Sequence, residues 1–208
     1  MSNQWFIKGV KKGILTEGFP QLPPEKPPLR PSLLNGSSNF KCPVGALDEK
    51  KWNPEKCIFC DKCSMEMHFT GDQKLFKINR KMNAFKRSLY IYIIDSGTCG
   101  ACNAELFNIF SPQYDANRYG IFLTNTPRNA DVLVLMGVET EGMKSVLEET
   151  YESMPEPKCV VKMGTCAIGG AGIGSKISSL EPDALIYGCP PSPYTILEAL
   201  IELKGDKP

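Results

Sequence analysis

Three short apolar runs in this chain each lead directly into cysteine, and that arrangement restricts the fold more than any other feature. Residues 89–94 precede Cys99-Gly100-Ala101-Cys102, residues 159–163 precede Gly164-Thr165-Cys166, and residues 184–187 precede Gly188-Cys189-Pro190-Pro191. Runs of that length without polar/apolar alternation read as strands buried on both faces, as in a parallel sheet. Parallel strands finish on one edge, and in open α/β sheets ligands bind at that carboxyl edge. The three strand ends therefore bring Cys99, Cys102, Cys166 and Cys189 to one place. Four thiolates at one point form a metal-binding set, and a [4Fe-4S] cluster is the expected occupant.

The same half of the chain alternates strand, loop and helix. Residues 121–123 and 132–136 are two further strands. Asn103 suits a helix start, with Leu106, Phe107 and Phe110 turned inward. Thr140 suits a second cap, before Met143, Val146, Leu147 and Tyr151 on one face. Ser192, with Pro193 at the first helical position, opens a last helix that buries Ile196, Leu197, Leu200 and Ile201. With right-handed βαβ crossovers, residues 88–205 form an α/β domain, a small flavodoxin-like doubly wound parallel sheet.

A second cysteine group precedes this domain: Cys42-Pro43, then Cys57, Cys60 and Cys63 at C-x2-C-x2-C spacing. Two-cluster ferredoxins repeat the run C-x2-C-x2-C-x3-C-P, and the fourth cysteine of each run serves the cluster built on the other run's triplet. Cys42 stands in the fourth place of a first run whose triplet falls at Ser32, Asn35 and Ser38, while the fourth place of the second run is Met67. One complete ligand set is missing and one complete set is kept. Residues 41–72 are therefore read as a ferredoxin-like module with one [4Fe-4S] cluster on Cys42, Cys57, Cys60 and Cys63. A tetrahedral zinc, with His68 in place of Cys42, is the competing reading, but a triplet this tight suits the corners of a cube better.

The remaining features are less directive. Of nine cysteines only Cys159 stands outside the two groups, and inside an apolar run it reads as core packing. An odd cysteine count with no secretory signal argues against a disulfide framework. Pro20, Pro23, Pro24, Pro27, Pro28 and Pro31 make residues 1–40 an extended arm or a partly disordered tail, in which Trp5, Phe6, Ile7, Val10 and Ile14, ahead of the prolines, suit a short amphipathic turn or two for a membrane surface or a partner subunit. Residues 73–87, rich in lysine and arginine, read as a basic linker, solvated or docked on an acidic neighbour. With 24 basic and 23 acidic residues the net charge is +1, which gives no reason to expect nucleic acid. Gly164, Gly169, Gly170, Gly172 and Gly174 fit neither a Walker loop nor a dinucleotide fingerprint, so no nucleotide is expected. They read instead as sites where main-chain N–H groups approach the cluster sulfurs. No apolar run nears the roughly 20 residues of a bilayer span, so any membrane association is expected to be peripheral.

Taken together, Cys99-Gly-Ala-Cys102 with Glu105, Gly164-Thr-Cys166-Ala167 with Gly169-Gly170, and Gly188-Cys189-Pro-Pro191 resemble the small subunit of energy-converting, membrane-bound [NiFe]-hydrogenases, homologous to the 20 kDa subunit of respiratory complex I. The resemblance covers residues 88–204. The C-x2-C at the first site matches the hydrogenase branch, since the complex I branch has adjacent cysteines there. The chain departs from the pattern at Ser192-Pro193, where Arg-Pro is usual, and at Asn103-Ala104, where Asp-Ile is usual. The first forty residues, with Thr16-Glu17-Gly18-Phe19-Pro20, are similar to the start of the two-cluster ferredoxin subunit of the same complexes.

The resemblance implies an electron-transfer subunit with two [4Fe-4S] clusters on the cytoplasmic side of the cell membrane. Its implied partners are a large nickel-iron subunit, ferredoxin or other iron-sulfur subunits, and membrane-embedded ion-translocating subunits. A quinone- or sulfur-reducing complex is the alternative assembly. Glu105 is the candidate for proton handling or cluster tuning, against a plain helix first-turn acid.

Overall fold

The computed structural model describes residues 4–12, 33–35, 41–48, 51–63, 68–70, 74–85 and 87–205. The proline cluster from Pro20 to Pro31 lies outside the described residues, as do Ile14 and Met67. In chain order the elements are α1 (Gln4–Lys12), β1 (Leu33–Asn35), β2 (Leu47–Asp48), β3 (Lys51–Trp52), β4 (His68–Thr70), β5 (Phe76–Ile78), β6 (Leu89–Asp95), α2 (Ala101–Asn108), β7 (Ile121–Leu123), β8 (Val132–Met136), α3 (Lys144–Ser153), β9 (Cys159–Met163), α4 (Gly164–Gly169), β10 (Ala184–Ile186) and α5 (Pro193–Lys204).

Strands apolar at every position can be buried only where both sheet faces are covered. β8 meets that condition, with all five residues buried, and β9 is likewise buried throughout with one charged residue, Lys162, whose ammonium donates to Ile177 O at 2.6 Å. The main sheet runs β7-β6-β8-β9-β10 in parallel. Counting only these five in chain order gives 2-1-3-4-5, the flavodoxin-like doubly wound order. One face carries Leu106 of α2 and Ile109 just after it, with Ile196, Leu197, Leu200 and Ile201 of α5. Leu147 of α3, Ala167 of α4 and Ile177 cover the other. Cys159 is fully buried in the first core, as its apolar setting predicts. Ser192 accepts the N–H of Thr195 and caps α5, with Pro193 at its start.

Two helices differ from expectation in register. α2 begins at Ala101, two residues early, after Gly100 at φ 89°. The inner stripe is therefore Cys102, Leu106 and Ile109, with Phe110 packed at its margin, and Phe107 is 55% exposed. Before α3 a short 3-10 turn, Glu141–Met143, rotates the helix so that Leu147 is buried and Val146 faces out. The Thr140 side chain makes no cap bond there and donates to Ser96 O instead, at 3.1 Å.

Phe76–Ile78, inside the stretch read as a basic linker, is a strand: β5 pairs antiparallel with β10 and extends the sheet. The positive charges around it have partners in the domain. Lys74 and Lys81 pair with Glu202 of α5, and Arg80 pairs with Asp183 at 2.6 Å. Alternation of charge with Phe76 and Ile78 is the period of an edge strand, which the lysine content obscures.

Ahead of the sheet lie two small antiparallel ladders, β1 with β4 and β2 with β3. In the first ladder Leu33 pairs with Thr70, Leu34 with Phe69 and Asn35 with His68. Among the described residues no helix is long and apolar enough to cross a membrane.

Candidate metal centres at the sheet edge

β6, β9 and β10 all run out at the same edge, but β8 lies between β6 and β9 and its exit would separate the cysteine loops. Two glycines keep that exit thin. Gly137 has φ +87°, and a side chain there would lie 2.6 Å from the Gly97 main chain. The loop leaving β6 is held by Asp95, whose carboxylate accepts the N–H groups of Gly97 and Thr98, the Thr98 hydroxyl and the Asn103 amide, at 2.6–3.0 Å. Burial alone would raise the pKa of Asp95, yet these four donors outweigh it and hold the carboxyl below its ordinary value.

With the loops so placed, four thiols interact electrostatically. Burial, followed by Cys166, Cys189 and Cys99, pushes the Cys102 thiol up to about 12. Burial raises Cys166 as well, with Cys99 adding to it. Cys189 is raised by burial and then by Cys166, Cys99 and, from the N-terminal module, Cys57. Thiols that oppose one another's ionisation are a donor set suited to a shared positive centre, which relieves the repulsion on binding. Gly164, at φ +85°, is required here, because a side chain at that position would come 2.7 Å from Cys102 Sγ.

The second group is more local. In the 57–63 loop, Phe59 at φ 52° and Asp61 at φ 59° are left-handed, one inside each C-x2-C step. Left-handed backbone at these two positions bends the chain between successive cysteines. Burial pushes the Cys57 thiol up against hydrogen bonds from the Trp52 side chain and the Phe59 N–H, and Cys42 and Cys60 add to the rise. Cys63 is raised by burial and then by Cys57, Cys60 and Asp61. Main-chain donors point at sulfur: Ala46 N–H lies 3.3 Å from Cys42 Sγ and Phe59 N–H lies 3.4 Å from Cys57 Sγ. Trp52 meets Phe59 edge to face at 6.0 Å and backs the loop. Among the described residues, no three of His, Cys, Asp and Glu close tightly enough to hold a single metal ion. The His68 side chain lies outside the described residues.

Glu105, on α2, lines a cavity of about 290 Å³ with Phe59, Tyr187, Cys189, Pro190 and Pro193. The cavity thus combines a residue of the N-terminal module with the Cys189 loop. Residues 99–203 match the family described as NADH ubiquinone oxidoreductase, 20 Kd subunit. The chain belongs to that family.

Subunits of this family bind iron-sulfur clusters and serve electron transfer in oxidoreductase complexes. An uncharacterized protein of Methanocaldococcus jannaschii is 38% identical over 124 residues, which cover 57% of this chain and 84% of the relative. The probable membrane-bound hydrogenase subunit mbhJ of Pyrococcus furiosus is 33% identical over 122 residues, covering 55% of this chain and 73% of that protein. Among solved structures, a chain of the membrane-bound sulfane sulfur reductase, an archaeal respiratory membrane complex, is 26% identical, with a TM-score of 0.48 over 59% of this chain and 71% of that chain.

Some residues that shape the site escape a reading by composition and spacing. Glu139 accepts from the main chain and hydroxyls of both Ser178 and Ser179, tying the exit of β8 to the segment after α4. Thr165 stands between Gly164 and Cys166, and only its contacts reveal what it does. Neither residue recurs at a helical or strand period, so spacing gives no sign of its role.

Proposed function

We propose that this chain is the electron-relay subunit of a membrane-associated [NiFe]-hydrogenase complex, peripheral on the cytoplasmic side of the membrane. Cys42, Cys57, Cys60 and Cys63 bind an outer [4Fe-4S] cluster, and Cys99, Cys102, Cys166 and Cys189 bind an inner one. Such clusters supply one-electron carriage at potentials set by hydrogen bonds to sulfur and by solvent exposure. The chain's own groups do the rest. The N–H groups of Ala46 and Phe59 are directed at Cys42 and Cys57 sulfur, and left-handed Phe59 and Asp61 bend the chain between the cysteines of the triplet. The C-x2-C-x2-C triplet of Cys57, Cys60 and Cys63 is too tight to suit a single zinc well and fits the corners of a cube.

The observation that supports the relay reading is the close approach of the two sets: the Thr165 hydroxyl donates to Cys57 O at 2.7 Å while its N–H donates at 2.9 Å to Gly188 O, next to Cys189, and Phe59 and Cys189 line one cavity. Electrons pass between a ferredoxin-type carrier and the large subunit, whose nickel-iron site does the hydrogen chemistry. Ion-translocating membrane subunits complete the assembly. The likeness to a membrane-bound hydrogenase subunit and the C-x2-C at residues 99–102 favour a hydrogenase over a quinone- or sulfur-reducing complex.

Protein purified without oxygen should carry about eight irons per chain and show two cluster signals by electron paramagnetic resonance on reduction. Four irons or fewer would sink the two-cluster reading. Nickel in the purified complex, with hydrogen-dependent ferredoxin reduction, is expected; a nickel-free complex that reduces quinone or sulfur leaves the relay but removes the hydrogenase. Glu105, beside Cys189 in the cavity, handles protons or tunes the inner cluster. Glu105→Gln should slow turnover with both cluster signals retained, and unchanged turnover excludes it from the mechanism.

A further inference from the structure

Thr165 is 1% exposed and immediately precedes Cys166. Its N–H donates to Gly188 O at 2.9 Å, the carbonyl just before Cys189. Its hydroxyl donates to Cys57 O at 2.7 Å and lies 3.1 Å from Gly188 O. A hydroxyl has one hydrogen, and the shorter contact, to Cys57, takes it. One residue thus touches peptides that carry Cys57, Cys166 and Cys189, members of both thiol sets. The surrounding contacts are close. A side chain on Gly169, at the end of α4, would come 2.2 Å from Glu55 O, so main chain of the module lies directly on that helix. Tyr187 N–H donates to Leu75 O at 2.8 Å, where the chain leaves the module for β5. Of these three contacts only Thr165 acts through its side chain and at cysteine-bearing peptides.

We propose that Thr165 is a positioning residue that latches the N-terminal module to the carboxyl edge of the sheet and sets the separation across which an electron crosses between the two centres. The inference rests on the two-cluster reading above. In the step concerned, one electron leaves one centre and enters the other. No bond is made or broken, and Thr165 keeps its proton throughout. Its role is geometric: a buried hydrogen bond holds the donor and acceptor peptides in one register.

Removing such a bond should lower the docked-to-undocked ratio by roughly five- to thirtyfold. The test uses the full chain, purified without oxygen and fully reduced, with iron content and the spin–spin interaction between the clusters as readouts. Thr165→Val, which keeps the shape and removes the donor, should retain wild-type iron and both cluster signals, while the fraction of molecules lacking the interaction rises. Thr165→Ser should restore the interaction. An unchanged interaction in Thr165→Val overturns the latch and leaves the two-cluster reading standing. Loss of iron in that variant assigns Thr165 to cluster retention and also overturns it. A wild-type protein with half the expected iron overturns the two-cluster reading itself, and the inference with it. If Thr165→Val does not accumulate, Gly169→Ala perturbs the neighbouring contact of α4 with Glu55 on the same docking face, and an unchanged interaction there counts against a fixed separation and so against the latch.

Discussion

The two thiol sets solve the same problem in opposite ways. In the N-terminal module, Cys57, Cys60 and Cys63 lie within one seven-residue loop, and the chain itself supplies the curvature through left-handed Phe59 and Asp61. In the sheet domain, Cys99, Cys102, Cys166 and Cys189 come from three loops spread over ninety-one residues, and the curvature is supplied by a parallel sheet with a core on each face. A local site closes short loops and needs little else, whereas a dispersed one depends on a framework that has already brought distant segments together. The local site is therefore expected to depend on its cluster for order, and the dispersed one to keep its framework without it.

Cysteine replacement gives the largest effect and tests that contrast. Cys57→Ser and Cys166→Ser should each halve the iron, to about four per chain. Limited proteolysis should then separate them. Cys57→Ser is expected to open the module to cleavage while residues 88–205 survive, and Cys166→Ser to leave both parts protected. Equal sensitivity in the two variants would erase the proposed difference.

Gly164→Ala is a smaller change directed at the dispersed site alone. The new methyl group would lie 2.7 Å from Cys102 Sγ at a backbone of φ +85°. Strain of this kind costs roughly 1–3 kcal/mol. We expect partial loss of the inner cluster, a lower midpoint in urea and an unaltered outer cluster signal. Full retention of both signals would show that the edge of the sheet has more room than its geometry implies.

The smallest effect concerns the loop anchor at the exit of β8. Burial would raise the pKa of Glu139, but the N–H and hydroxyl groups of Ser178 and Ser179 outweigh it and lower the pKa from 4.5. A depressed folded-state pKa contributes stability that is present above the unfolded value and is lost as pH falls through the folded one. Stability should therefore decline as the pH drops below 4.5, and Glu139→Gln should flatten that limb while removing about 1 kcal/mol at neutral pH. Urea titrations of both proteins across that range decide it, and parallel curves would acquit Glu139.

Much of this protein is written in local pattern. The five parallel strands follow from short, mostly apolar runs, and the cap of α5 from Ser192-Pro193. Both proposed thiol groupings also rest on cysteine spacing and strand ends, which are one-dimensional facts. Register and docking were not legible in this way. Phe107 looks as apolar as Leu106, and only the start of α2 at Ala101 turns it outward. Phe76 and Ile78 read as part of a charged linker until Glu202 and Asp183 are seen to receive the charges beside them. Thr165 has no pattern at all, since its partners lie 108 and 23 residues away. Periodicity reports what a segment does against a generic apolar surface. Which surface it meets, and in what register, is decided by long-range packing that exists only once the chain has folded.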